Sequence, residues 1–193
     1  MPIDLIINIS MDQEDGAILL RLARESITTA FSNDEPNINE ALHMDEEQGV
    51  FVTIHKNGDL RGCIGYPEPV MPLYKAVIEA ARSAAFQDSR FSQMIKTELR
   101  EIDIEISVLT IPELIKIEKP EDYLKQITIG EDGLIIRHPA GSGLLLPQVA
   151  TENNFSVAQF LNCLCQKAYL PFSAWQDPQT QIFKFQAEIF SEK

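Results

Sequence analysis

An arginine and a cysteine lie two residues apart in a glycine-containing run near the end of the first third of the chain. The run is Leu-Arg-Gly-Cys-Ile-Gly, residues 60–65, with Arg61 and Cys63 at its centre. In an extended strand, residues two apart point to the same side. A guanidinium on the side of the thiol favours the thiolate, which is the nucleophilic form of cysteine. The spacing therefore predicts a reactive thiol. The alternative is a small buried hydrophobe in a strand, the commoner role of a free cysteine.

The neighbours of Cys63 also have two interpretations each. Arg61 can clamp a carboxylate or phosphate together with backbone N–H groups exposed at Gly62 and Gly65. Alternatively, Arg61 forms a structural ion pair with Glu105 or Asp88, which a chain rich in acids favours slightly. The two glycines either admit a ligand close to the backbone or permit a bulge or close helix packing.

Composition limits the classes of function. The chain has 193 residues and a formal net charge of -13, with no local basic patch, so a nucleic-acid partner is not expected. No apolar stretch is long enough to span a bilayer, and no membrane association is expected. The cysteines, Cys63, Cys163 and Cys165, have no disulfide-type or zinc-type spacing, so neither a metal nor a cofactor is predicted. The N-terminus lacks the basic flank of a signal peptide, and a cytoplasmic location is expected.

The order of elements predicts an α+β fold with a mainly antiparallel sheet and flanking helices. A hairpin around Asn57-Gly58 precedes a helix that begins near Pro72, and an alternating strand runs from Ile102 to Val108. A second hairpin, a helix after Ser156 and a final alternating strand follow in residues 127–190. Hairpin, helix and closing strand thus occur twice, which indicates a twofold repeat of architecture.

The length of the Asn57-Gly58 loop decides which residues share a face with Cys63. A two-residue turn mixes polar and apolar side chains on both faces. A three-residue loop, 56–58 with a bulge at Gly58, separates them, and we predict that arrangement. The predicted apolar face consists of Val50, Val52, Ile54, Leu60 and Ile64. The predicted polar face consists of Phe51, Thr53, His55, Arg61 and Cys63, and Glu105 joins it if its strand lies in the same sheet. His55 is then too far along the strand to serve easily as a base for Cys63.

Several runs, in order, resemble the AMMECR domain family. They are the hexapeptide 60–65, Asp88-x-Arg90-Phe91, the strand 104–109, Leu-Pro-Gln-Val at 146–149 and Lys-Ala-x-Leu at 167–170. The resemblance covers roughly residues 13 to 190, and the hexapeptide is the signature of the family. This chain departs from the family pattern at Ser89, at Phe155 and at Tyr169, where family members usually have proline, tryptophan and glycine.

The resemblance implies a larger lobe, about residues 12–110 with 155–193, and a smaller lobe, about 111–154. It also implies a cleft near the hexapeptide and, in many prokaryotes, Memo-like and radical-SAM proteins as neighbours and therefore as candidate partners. Asp88 and Arg90 become candidates for the cleft wall, with a capping and turn network as the alternative. Gln148 becomes a candidate ligand contact, with a hydrogen bond to nearby backbone as the alternative.

Two functions follow from the sequence. The first is a cysteine-dependent enzyme in which Cys63 is the nucleophile, Arg61 stabilises the thiolate, and Asp88 or Glu105 transfers the proton. The second is a non-catalytic binding or adaptor domain that holds a small anion or a partner protein.

Overall fold

A computed structural model describes residues 11–193, and it forms two compact units. The first unit consists of the described residues up to Leu109 together with Glu188–Lys193, and the second consists of Thr110–Ala187. Each unit contains one four-stranded antiparallel sheet with helices packed on it. The predicted α+β class with mainly antiparallel pairing is therefore confirmed.

The first unit has two long helices on one face of its sheet. Its elements are α1 (Gln13–Ala30), β1 (Gly49–Lys56), β2 (Asp59–Tyr66), α2 (Leu73–Phe86), β3 (Ile102–Leu109) and β8 (Ala187–Ser191). The strand order is β2-β1-β3-β8, so β2, which carries the hexapeptide, is an edge strand. The Asp12 side chain caps α1 by accepting the N–H groups of Glu14 and Asp15, both at 2.9 Å.

The core of the first unit lies between this sheet and the two helices. Alternate residues of β1 and β3, among them Val52, Ile54 and Ile104, are fully buried. Facing them, α2 presents a stripe of alanines that includes Ala80 and Ala84. Small side chains let the helix approach the sheet closely, which matters below for the hexapeptide.

The second unit repeats the scheme around its own core. Its elements are β4 (Glu113–Leu114), α3 (Tyr123–Gln126), β5 (Gly133–His138), β6 (Gly141–Leu145), α4 (Pro147–Glu152), α5 (Val157–Lys167) and β7 (Gln181–Phe185). The strand order is β4-β7-β5-β6. Buried side chains of α5, led by Phe160 and Leu164, pack against those of β5. Residues 155–187 therefore belong to the second unit. The predicted lobe boundaries had placed them in the larger lobe, together with the hexapeptide.

The twofold repeat of architecture is visible in the strand orders. In the first unit the hairpin strands β2 and β1 are followed in the sheet by β3, and α2 lies between hairpin and β3 in the chain. In the second unit β6 and β5 are followed by β7, with α5 in the corresponding place. The registers also correspond, because Ile54 pairs with Gly62 and Ile104, while Ile136 pairs with Gly143 and Ile182.

Candidate functional site around Cys63

The β1–β2 hairpin has a two-residue turn and a bulge, and not the predicted three-residue loop. Lys56 pairs with Asp59 across Asn57 and Gly58, whose φ angles of 54° and 91° are those of a type I′ turn. The register then shifts, because His55 pairs with Leu60 while Ile54 pairs with Gly62. Arg61 is the extra residue of this bulge.

After the bulge, the side chains of β2 lie on the opposite faces from those that an unbroken two-residue hairpin would give them. The predicted three-residue loop would have had the same effect on Cys63. Cys63 therefore pairs with Thr53 and lies on the polar face, as predicted. Ile64 pairs with Val52 on the core face. Leu60 was predicted on the apolar face, but it pairs with His55 and is 42% exposed.

Arg61 does not share the face of Cys63, because the bulge turns its side chain toward the core side of the sheet. Its Nε and Nη2 donate to the two carboxylate oxygens of Glu98, at 3.0 and 3.1 Å, and Nη2 also donates to the Ser92 carbonyl at 3.0 Å. Glu98 also accepts from Lys56, a β1 residue with the parity of Ile54. These bonds, led by the one from Arg61, lower the pKa of Glu98 to about 2. Arg61 thus forms a structural ion pair, as expected, but the predicted partners Glu105 and Asp88 were wrong, because the partner is Glu98.

Asp88 and Arg90 hold the backbone of Cys63 from outside the sheet. Asp88 Oδ2 accepts the Cys63 N–H at 2.9 Å, and Arg90 Nη2 donates to the Cys63 carbonyl at 3.2 Å. Because β2 is an edge strand, these two groups face away from β1 and need partners other than a neighbouring strand. The Asp88–Arg90 pair supplies both partners, so it fixes the position of Cys63.

Asp88 is held as an anion by several donors. Its side chain is only 4% exposed, and its oxygens accept Arg90 Nε at 3.0 Å, Arg90 Nη2 at 2.7 Å and the Arg90 N–H at 3.1 Å. The Arg90 hydrogen bonds and the Cys63 N–H hold the pKa of Asp88 far below its usual range. A carboxyl group that stays ionised is a positioning group here and a poor proton donor.

The arginine beside the thiol is Arg90 and not Arg61. Its pKa is raised, first by the hydrogen bond to Asp88 and, among smaller causes, by the Cys63 side chain. The Arg90 side chain is 53% exposed, so one face of its guanidinium remains open to solvent.

One row of residues crosses three strands on the polar face. Cys63 of β2 pairs with Thr53 of β1, and Thr53 pairs in turn with Glu105 of β3. The Thr53 hydroxyl donates to the Cys63 sulfur at 3.3 Å, and Cys63, Thr53 and Glu105 are all partly exposed. Glu105 thus lies on the face where it was expected. His55 occupies a different row, paired with Leu60 and Asp103.

The two glycines of the hexapeptide are packed against the protein itself. A Cβ on Gly62 would lie 2.2 Å from the Ala84 carbonyl oxygen of α2, and one on Gly65 would lie 2.3 Å from the Val50 carbonyl oxygen. Gly62 is therefore needed for close helix packing and Gly65 for close approach of β1.

Gln148 lies in the second unit, at the start of the short helix α4. Its Oε1 atom is buried and has no hydrogen-bond partner. This oxygen therefore does not make the hydrogen bond to nearby backbone that was the alternative to a ligand contact. A ligand contact of Gln148 stays a prediction.

Two structural features bear on metal and membrane binding. Within residues 11–193, no group of three or more His, Cys, Asp or Glu side chains is arranged to hold a metal ion. The helices in this part of the chain are all too short or too polar to cross a bilayer.

The fold and the site define an α+β protein of two hairpin–helix–strand units, with a positioned cysteine on the edge strand of the first. A model of the AMMECR1 family matches residues 20–190, and the chain belongs to this family. A protein of Methanothermobacter thermautotrophicus is 45% identical over 190 residues, which covers 94% of this chain and 96% of that protein. A protein of Methanocaldococcus jannaschii is 44% identical, with 93% and 90% covered. The crystal structure of an uncharacterized protein from Pyrococcus horikoshii matches with a TM-score of 0.89 and 40% identity, covering 95% of this chain and 94% of that one.

Proposed function

We propose that the polar face around Cys63 binds a small electrophilic molecule and that the Cys63 sulfur reacts with it. The observation that carries this proposal is the row Cys63–Thr53–Glu105, in which a hydroxyl donates to the sulfur and a carboxylate lies one strand further. A partly exposed thiol with a hydrogen-bond donor and a nearby cation is the environment in which cysteines react.

Each residue of the site has its own role in this reaction. The Cys63 thiol loses its proton through solvent to the Glu105 carboxylate, and the Thr53 hydroxyl donates to the thiolate that remains. The sulfur then adds to an electrophilic carbon of the ligand, the π bond at that carbon opens, and Glu105 returns the proton to the atom that takes up the electron pair. Arg90 stabilises the thiolate and Asp88 positions the backbone of Cys63. Glu105 is preferred to Asp88 as proton acceptor, because the Arg90 bonds keep the pKa of Asp88 far below its usual range.

A non-catalytic role is the second candidate, and one observation favours it. Arg90 is half exposed beside Cys63, so it can attract a small anion without any covalent step. Arg61 is a weaker anion clamp, since Glu98 and the Ser92 carbonyl already engage its guanidinium. A partner protein, including a Memo-like or radical-SAM protein, and a cytoplasmic location stay predictions from the sequence.

Alkylation of Cys63 by iodoacetamide at pH 7, followed by peptide mass spectrometry, tests whether Thr53 and Glu105 make the Cys63 thiol more reactive. Thr53→Val and Glu105→Gln should each slow the reaction at Cys63 about tenfold, because each removes an interaction of about 1.4 kcal/mol with the developing thiolate or its proton. Asp103→Asn is the matched control, an acid two residues from Glu105 on the same face of β3. Rates that stay at the wild-type value in both Thr53 and Glu105 variants contradict the reactive-thiol proposal.

A further inference from the structure

A cavity of about 480 Å³ opens in the second unit, where β4 and β7 diverge. The two strands pair at Leu114 and Phe183, and the Ile115 N–H still donates to the Ile182 carbonyl at 2.9 Å. Beyond that bond, residues 116–120 leave the sheet and line one side of the cavity, while residues 175–178 line the other. The volume lies within the range of about 300–1,000 Å³ usual for small-molecule sites.

Two buried aromatic rings form an apolar floor. Trp175 donates its indole N–H to Asn162 Oδ1 at 2.9 Å. Tyr123 is almost fully buried, which raises the pKa of its phenol, and the phenol is hydrogen-bonded to the backbone of Ile182. Both polar groups are thus satisfied within the protein, so neither the indole N–H nor the phenol needs a polar partner from a ligand. An apolar ligand body is what such a floor binds.

Two lysines at the rim have no carboxylate partner among residues 11–193. Lys116 and Lys119 both line the cavity and are exposed. Most other cations of this acidic chain are paired, as Arg61 is with Glu98. Of the acids that line the cavity, Asp177 accepts the Gln179 N–H at 2.8 Å and lies 3.9 Å from His138 Nε2. The remaining acid of the lining is Glu118.

We propose that this cavity is a second ligand site, distinct from the Cys63 site, for a small molecule with an apolar body and one anionic group. The apolar body lies against Trp175 and Tyr123, and the carboxylate or other anion is bound by Lys116 and Lys119. An ammonium–carboxylate contact of an exposed lysine contributes up to about 1 kcal/mol, so the two lysines together give roughly a tenfold preference for the anion over a neutral analogue.

The experiment uses the fluorescence of Trp175, the single tryptophan of the chain. The full-length protein is titrated with phenylacetate, with its neutral analogue 2-phenylethanol and with the cationic phenethylamine. Phenylacetate should change the emission saturably and bind at least about tenfold more tightly than the alcohol. The amine should bind more weakly still, and the preference for phenylacetate should shrink as salt is added.

Substitution of Lys116 and Lys119 tests whether these two lysines bind the anionic group. The double variant Lys116→Gln/Lys119→Gln should lose the preference for phenylacetate, and Glu118→Gln should strengthen its binding. Lys167→Gln, an exposed lysine at the end of α5, is the matched control and should bind like the wild type. The proposal is overturned by an emission that does not change saturably, by equal affinity for all three probes, or by a double variant that still prefers phenylacetate.

Discussion

The Asp88 carboxylate accepts the backbone N–H of Cys63 at 2.9 Å, although the two residues are 25 positions apart in the chain. Its ion-pair partner Arg90 donates to the carbonyl of the same Cys63. An edge strand normally leaves such groups to water, and here they are used to fix one residue. The thiol is therefore positioned from its backbone, while its side chain stays available on the polar face.

Asp88→Asn should destabilise the protein by about 2–4 kcal/mol, because it replaces a buried carboxylate and leaves the partly buried donors of Arg90 and Cys63 without a charged acceptor. Urea unfolding followed by circular dichroism measures the change. Asp34→Asn, an exposed acid in a loop, is the control and should stay within about 0.5 kcal/mol of the wild type. Equal stability of both variants would mean that Asp88 does not hold the strand.

Glu98 makes stability depend on pH. Its pKa is lowered to about 2 in the folded protein, against an ordinary value of 4.5, so the folded state binds this proton less readily than the unfolded state. The contribution is present above about pH 5 and is lost as the pH falls toward 2, and it amounts to roughly 3 kcal/mol. Glu98→Gln should therefore flatten the acid limb of the unfolding free energy measured between pH 6 and pH 2.5.

The control for Glu98 is Glu101→Gln, which removes an exposed carboxylate bound to the same Lys56. That variant should keep the acid limb of the wild type. If Glu98→Gln loses stability on acidification as steeply as the wild type does, the acid sensitivity has another source, such as Asp88, whose pKa is also lowered.

Gly62→Ala should be among the most damaging substitutions in the hexapeptide. The new methyl group would lie 2.2 Å from the Ala84 backbone oxygen, so α2 must move, at a cost of about 3 kcal/mol or more. Gly58→Ala is the comparison, since Gly58 has a positive φ but open space around it, and it should cost only about 1–2 kcal/mol. Urea midpoints in the reverse order would contradict the close packing of α2 on β2.

Tyr169→Gly should stabilise the protein by about 1 kcal/mol. Tyr169 follows the end of α5 with a φ of 58°, in a turn closed by bonds from the Tyr169 N–H to the Gln166 carbonyl and from the Leu170 N–H to the Cys165 carbonyl. Glycine adopts this conformation without strain, and the tyrosine ring, 98% exposed, contributes little packing. Thermal unfolding should show a gain for Tyr169→Gly and none for Tyr169→Ala.

Local sequence patterns were sufficient to predict the main helices and strands and the face of the sheet on which Cys63 lies. Asn57-Gly58 specified a hairpin, and the alternation of β3 specified which side of the sheet is polar. The position of the extra residue was not predictable, since a bulge at Gly58 and a bulge at Arg61 give Cys63 the same parity. Only the register shift between Ile54 and His55 distinguishes them.

The partners of the charged residues could not be predicted from spacing. Glu98 lies 37 residues from Arg61, within a 3-10 helix, Lys96–Arg100, that has no signature in the sequence. Asp88 was first considered as an ion-pair partner of Arg61, and Arg90 was recognised only through the resemblance to a family. The bonds of both residues to the Cys63 backbone depend on how the chain returns after α2. Contacts of this kind are set by tertiary packing, which local patterns do not record.

The most direct test of the reactive thiol compares two cysteines in one sample. Cys63 and Cys163 are both partly exposed, so Cys163 serves as an internal reference. In native protein at pH 7, iodoacetamide should modify Cys63 at least about tenfold faster than Cys163, and in urea the two rates should become equal. A native rate at Cys63 equal to or below that of Cys163 would contradict the account and leave Cys63 as a structural residue of the edge strand.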